Sequence, residues 1–323
     1  MIATLFQSNR LLFAYSAGMV LTLGVLAMHF TGLEAPVSLS GEQWLMDLIL
    51  QLPPALLYVF NLLCIVGSAI VFNQLLIGEK VSRDYNSLFF LAYLLAAFSY
   101  WPWSGLQPAL YTSLLFLFII RNMMIAGNSR KQLSLVFDAG WIGGLAFLLY
   151  QPAWVLLPVS LLSIALGGIF RFKALMLWLF GYLTPIYLMA SVAYLNNQTD
   201  LLTALFLIDR SAEWQLHILS LADKLLLAFS FSVFVIGVAI SFSGGNLKTN
   251  ALRNAQRIFF ILLICGILSV FFLPGDGWLN AGIYIPVGAF YMGRFLEAIQ
   301  KKGLINLLVI CWLALLIWSS GIF

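Results

Sequence analysis

Asp209, Glu213 and His217 fall at i, i+4 and i+8, which sets three side chains on one face if that stretch is helical. Two carboxylates and an imidazole in a row could hold a divalent metal or pass a proton. The same three residues could equally form the wet side of a helix lying at a membrane surface. Arg210 stands among them. A second acidic group, Glu34, Glu42 and Asp47, occurs near the start of the chain. Asp138, in Phe137-Asp138-Ala139-Gly140, opens an apolar stretch. It reads either as an acid steadied by the positive end of a helix dipole or as a further contributor to a site.

The elements that carry these residues follow from composition. The chain is 63% hydrophobic and 9% charged, against about 25% charged residues in a soluble protein. A soluble fold of 323 residues could not hide so much apolar surface, so lipid must be part of the solvent. The net charge of +4 is a collar against anionic headgroups and does not point to nucleic acid. Cys64, Cys265 and Cys311 each sit in an apolar run, without metal-ligand spacing, and read as small packing residues.

A span needs about 20 apolar residues, fewer where neighbouring helices shield its ends. Eleven stretches qualify: 11–30, 53–76, 87–103, 107–121, 135–150, 152–170, 172–195, 224–242, 257–273, 278–298 and 303–322. Arg10 ahead of a full-length apolar run reads as the start of a retained first helix. Starting inside at Arg10 and alternating, the cytoplasmic gaps collect Lys80, Arg83, Arg121, Arg130, Lys131, Arg171, Lys173, Lys248, Arg253, Arg257, Arg294, Lys301 and Lys302 as well. Only Arg210 and Lys224 fall outside. Short loops rich in Lys and Arg stay in the cytoplasm, so the N-terminus is expected inside and the C-terminus outside.

The expected fold is all-α: a polytopic transmembrane bundle forming one integral membrane domain over 1–323, with two amphipathic interfacial helices in external loops. The first, about 38–52, begins with the capping-box pattern Ser40-Gly41-Glu42-Gln43 and continues through Trp44, Leu45, Asp47, Leu48 and Ile49. The second, about 198–223, mixes Leu201, Leu202, Leu205, Phe206, Trp214, Leu216 and Ile218 with polar residues. These either seal the bundle or roof a lipid-facing cavity. A phosphate bound on this side needs Arg210, Lys224 or a helix N-terminus. The tight Trp101-Pro102-Trp103 and Tyr150-Gln151-Pro152 junctions suit an outer aromatic belt.

No ionisable residue falls near the middle of a span, which counts against a carrier built on a buried carboxylate. Asn61, Asn73 and Gln74 read as one polar helix face used for interhelical hydrogen bonds. Walker, dinucleotide, zinc-protease and nucleophile-elbow motifs do not occur.

Two resemblances follow. Leu5-Phe6-Gln7-Ser8-Asn9-Arg10, Phe137-Asp138-Ala139-Gly140, Gly143-Gly144-Leu145-Ala146-x-Leu148-x-Tyr150-x-Pro152 and Gly181-x-Leu183-Thr184-Pro185-x-Tyr187 together resemble an uncharacterised multi-pass family of Bacteroidota inner membranes. Its members are sometimes labelled carotene oxygenases. An iron enzyme of that kind needs several histidines, and this chain has only His29 and His217, so that label does not fit. More broadly, Gly140-x-x-Gly143-Gly144-Leu145-Ala146-x-Leu148, Pro152 and Leu156-Leu157-Pro158 are similar to a stretch of C-superfamily membrane glycosyltransferases. Those enzymes use polyprenyl-phosphate sugars at the outer face, with a general base shortly after the first span.

The second resemblance implies a lipid-linked sugar transferase at the outer face of the bacterial inner membrane. Glu34 stands roughly where the general base is expected, with Asp47 further on, and Arg210 would neutralise the lipid phosphate. Asp209, Glu213, His217 and Asp138 are further candidates. The partners would be membrane lipids, polyprenyl phosphate among them, and not nucleic acid. No cofactor is expected beyond a possible divalent metal. The alternative is a non-catalytic membrane subunit of a secretion, motility or polysaccharide-export complex, bound to envelope proteins. A lipid flippase or passive carrier is a third reading, for which the spans hold few polar residues.

Overall fold

The computed structural model describes residues 11–30, 53–81, 87–100, 108–126, 132–150, 153–154, 156–166, 171–197, 220–243, 250–272, 282–299 and 301–319. Among them the only regular elements are helices. Eleven are α-helices: α1 (Leu11–Phe30), α2 (Pro54–Gly78), α3 (Leu88–Tyr100), α4 (Pro108–Ala126), α5 (Gln132–Leu149), α6 (Leu156–Leu166), α7 (Phe172–Leu195), α8 (Leu221–Ser243), α9 (Asn250–Phe272), α10 (Ile285–Ala298) and α11 (Lys302–Ser319). A 3-10 turn, Gly282–Tyr284, leads into α10. Each expected apolar segment overlaps one of these helices. Four are long and apolar enough to cross a membrane: Val59–Gly78 within α2, then α7, α8 and α11.

Helix length and environment go together. α3 has 13 residues, about 20 Å at roughly 1.5 Å per residue, well short of a hydrocarbon core of about 30 Å. From Leu88 to Phe98 every residue of α3 is buried. It is apolar all round because protein surrounds it: α10, α2, α1, α8 and α11 all pack against it. α10, with 14 residues, is likewise buried along most of its length. Three of the four membrane-length helices lie at the rim, while α2 is more than half buried. In the most apolar 18 residues of α7, α8 and α11, only 22%, 28% and 22% are buried, and their outward residues, Phe172, Phe180, Tyr187, Leu195, Phe231 and Leu307, are apolar or aromatic. Such surface suits acyl chains and not water.

Two packing devices hold the bundle. The first is a ring of four phenylalanines from four helices. Phe72 (α2) meets Phe89 (α3) edge-on with centroids 6.2 Å apart, and Phe259 (α9) at 6.3 Å. Phe259 stacks on Phe290 (α10) at 4.1 Å, and Phe290 stacks on Phe89 at 6.3 Å, closing the ring.

The second device is close backbone approach between α5 and α7, the most extensive helix pair. A Cβ on Gly140 would strike the Trp178 carbonyl oxygen, one on Gly144 the Tyr182 carbonyl oxygen, and one on Gly181 the Phe137 carbonyl oxygen. The small-residue spacing expected of Gly140, Gly143 and Gly144 is therefore used, chiefly through Gly140 and Gly144. A step of four residues along α5 matches a step of four along α7 in the same direction, so the two helices run parallel. The chain between them, which includes α6, must return to the side from which α5 started.

Two expectations are corrected here. Asp138 was read as a helix-opening acid, but α5 begins at Gln132 and carries no acid in its first turn. Asp138 sits in the second turn, exposed, beyond the reach of the dipole effect. Asn61, Asn73 and Gln74 do not share a face. Twelve residues at about 100° each leave Asn61 and Asn73 about 120° apart. Both are buried, whereas Gln74 is exposed.

The glycine contacts make a prediction. Gly144→Ala and Gly181→Ala should each destabilise the folded bundle by about 1–3 kcal/mol, because neither clash can be relieved by turning a side chain. Gly67→Ala, where nothing lies within 4 Å, should leave stability unchanged or raise it by up to about 1 kcal/mol. Unfolding in mixed micelles by denaturing detergent measures all three.

Candidate functional site

The sequence placed its candidate chemistry mainly in the two external connections. Glu34 and Asp47, between α1 and α2, lie outside the described residues, as do Asp209, Arg210, Glu213 and His217, between α7 and α8. The two expected interfacial helices, 38–52 and 198–223, fall outside them too, except for 220–223. Ser220 immediately precedes α8 and 221–223 begin it. Ser220 Oγ accepts from the Asp223 backbone N–H at 3.1 Å, and Asp223 Oδ2 accepts from the Ser220 hydroxyl at 2.6 Å and its N–H at 3.2 Å. This reciprocal pair is a capping box, so Asp223 is engaged in starting a helix. Asp138 stands alone and exposed on α5. Among the described residues, no group of three or more His, Cys, Asp or Glu gathers to hold a metal.

What the described residues do gather is a buried polar seam between α2, α3 and α4. Asn61 and Ser68 lie seven residues apart on α2, nearly two full turns, and so share a face. Tyr111 of α4 donates to Asn61 Oδ1 at 2.5 Å. Further along, the Tyr93 hydroxyl of α3 pairs with Ser113 Oγ of α4 at 2.7 Å and also hydrogen-bonds Ser68. Cys64 lies on the same face of α2, between the two groups, and is buried. On another face of α2, Asn73 Nδ2 donates to Tyr15 Oη of α1 at 3.1 Å. The expectation that Asn61 and Asn73 make interhelical hydrogen bonds is met, each to a different neighbour.

A second polar junction ties α3 to α8 and α11. Ser99 Oγ donates to the Leu95 carbonyl at 2.7 Å and accepts from Trp312 Nε1 at 2.7 Å and from Ser230 Oγ at 2.9 Å. A third lies at the end of α10, where Arg294 pairs with Glu297 at 2.5 Å with both side chains nearly buried. It is the one ion pair among the described residues.

The chemistry of these groups is limited and definite. Apart from the partly exposed Arg294–Glu297 pair, the buried polar residues described are Thr, Asn and Ser, joined by tyrosine hydroxyls, and include no carboxylate or amine. They can donate and accept hydrogen bonds but offer no general base. Sequence reasoning found Asn61 and Asn73 but missed Tyr93, Tyr111, Ser68 and Ser113, because aromatic and hydroxyl residues are unremarkable in apolar helices. The one available signal was the seven-residue spacing of Asn61 and Ser68. Comparison with known proteins finds no matching family model, no matching curated protein and no matching solved structure.

The seam predicts measurable coupling. In a double-mutant cycle of Asn61→Ala and Tyr111→Phe, unfolding free energies should show an interaction of about 0.6 kcal/mol, the average for interhelical hydrogen bonds in membranes, and no more than about 1.7 kcal/mol. Strict additivity would mean that the two side chains do not meet.

Proposed function

We propose that the chain is a bacterial inner-membrane protein of eleven crossings, N-terminus inside and C-terminus outside, that transfers a sugar from a polyprenyl-phosphate carrier at the outer face. One observation carries the choice of reaction site. The fully buried polar residues of the described helices are uncharged, and the one charged pair, Arg294–Glu297, is partly exposed toward the end of α10, so the centre of the bundle offers neither an ion path nor an acid–base pair. Titratable groups able to act on a substrate are then left to the external connections, where Glu34 or Asp47 would take the acceptor proton and Arg210 would face the phosphate. The same lack of an interior charged path disfavours the carrier reading.

Contacts between helices support the alternating topology. Tyr15, near the start of α1, meets Asn73, near the end of α2, and Phe90, near the start of α3. Ser99, near the end of α3, meets Ser230, nine residues into α8. Residues brought together thus have similar expected depths. The parallel α5 and α7 also require a return pass between them, as eleven crossings do.

A second reading, a non-catalytic subunit of a cell-envelope secretion, motility or polysaccharide-export complex, draws on α7. That helix packs chiefly on α5 and leaves Tyr187, Leu188, Val192, Tyr194 and Leu195 exposed, a face that another protein's helix could cover.

If the transferase reading holds, Glu34→Gln, Asp47→Asn or Arg210→Ala, tested singly in native membranes, should lower sugar transfer by about 10²-fold or more in at least one variant. Full transfer by all three would refute this mechanism. Native mass spectrometry of mildly extracted protein separates the two readings. A retained polyprenyl phosphate favours the transferase, and a stoichiometric protein partner without it favours the subunit.

A further inference from the structure

α9 opens with cations where a helix start disfavours them. Arg253 and Arg257 are the fourth and eighth residues of α9, and its first turn holds no acid. The positive end of the helix dipole lies beside Arg253, and like charges at i, i+4 repel each other. No local acid offsets this: the chain has no Asp or Glu from Lys224 to Gly275. Among the described residues the one ion pair is Arg294–Glu297, so neither arginine is matched by a carboxylate. Both arginines are exposed. At about 100° per residue they share a face with Phe260 and Ile264, which are also exposed. The lipid-facing side of α9 therefore runs from apolar residues directly into two guanidinium groups. From α8, Phe242, 55% exposed, meets the Phe260 ring edge-on with centroids 5.0 Å apart. The Gln256 amide donates to the Ser241 carbonyl at 3.0 Å and fastens the two helix ends together. Arg257 and Arg253 stand about 5 and 10 Å from Phe260 along the axis, toward the start of α9.

We infer that the junction of α8 and α9 binds an anionic glycerophospholipid, its phosphate held by Arg253 and Arg257 and an acyl chain lying across Phe242 and Phe260. An arginine fork matches two phosphate oxygens, and a bound anion offsets both the arginine repulsion and the unfavourable dipole. The aromatic pair, on the same exposed face as the arginines, selects a phosphate that carries chains over a free one. The absence of any local acid selects a lipid of net negative charge. A zwitterionic headgroup would bring an ammonium group against two cations with nothing to receive it. Clustered cations at the membrane surface attract anionic lipids in this way. Lys301 and Lys302 are exposed too, but adjacent residues on a helix do not face each other and cannot grip one phosphate together. The site does not depend on sugar transfer. It needs only that this end of α8 and α9 lies at headgroup level.

The test uses the full-length protein in detergent with equal amounts of dioleoyl phosphatidylglycerol and dioleoyl phosphatidylcholine, which share their chains and differ in net charge. Native mass spectrometry counts the lipids retained as delipidation proceeds. The wild type should keep phosphatidylglycerol several-fold better than phosphatidylcholine. The double variant Arg253→Gln, Arg257→Gln should lose that preference. Lys301→Gln with Lys302→Gln, which removes as much positive charge elsewhere, should keep it. Equal retention of the two lipids by the wild type would overturn the inference. So would a preference that survives loss of both arginines, or one that falls equally with the two lysines, which would mark a diffuse basic surface. Glycerophosphoglycerol, the same headgroup without chains, should not displace the lipid at equal concentration. Displacement would show a site for a free phosphodiester and overturn the lipid assignment. The wild-type comparison needs no substitution and stands even if a variant folds poorly.

Discussion

Inside a bilayer each backbone N–H and C=O must find its partner within the protein, because hydrocarbon offers none and a bare group costs several kcal/mol. The arrangement of long and short helices follows from this constraint. α7, α8 and α11 are long and face outward, where a helix satisfies its backbone groups within itself. α3 and α10 are too short to cross as helices, and they lie where other helices enclose them. Along most of their length, they meet protein instead of acyl chains. Pro185 puts a break in the backbone ladder of α7, and it lies at the α5 contact, against Gly144, rather than on the lipid face.

Apolar side chains gain little by leaving lipid for a protein interior, so contacts of other kinds must hold the helices together. Glycines let α5 and α7 approach until backbones touch. Four phenylalanines tie α2, α3, α9 and α10 into one centre. Hydroxyls, amides and an indole N–H fasten α1 and α4 to α2, and α8 and α11 to α3. These fastenings are uncharged and short, which suits a rigid base better than a moving carrier.

Hydropathy alone located all eleven helices to within a few residues at most ends, since each must be apolar over most of its length. The α5 glycines were legible for a similar reason: no other residue lets two backbones come so close. Which face of α2 each polar residue occupies was less legible. Asn61, Asn73 and Gln74 invite grouping by type, yet a rotation of about 100° per residue separates them. Asp138 was misjudged because the polar Gln132 and Ser134 belong to α5, which moves the helix start upstream of the apolar run. Tyr93 and Tyr111 could not be singled out, because a tyrosine buried for packing and one buried for its hydroxyl look alike in sequence. The candidate site was legible only as residue types and spacings in 31–52 and 198–219, which lie outside the described residues.

The topology is the claim on which the rest stands, and labelling from each side tests it most directly. In a variant with Cys64, Cys265 and Cys311 replaced by Ala, single cysteines would be placed at Asn128, Asn197 and Thr249 in cells with an opened outer membrane. A membrane-impermeant maleimide should label position 197 in intact cells, and positions 128 and 249 only after the inner membrane is breached. Labelling of 128 or 249 in intact cells, or protection of 197 until breach, would contradict the alternation of eleven crossings and the external placement of Glu34, Asp47 and Arg210.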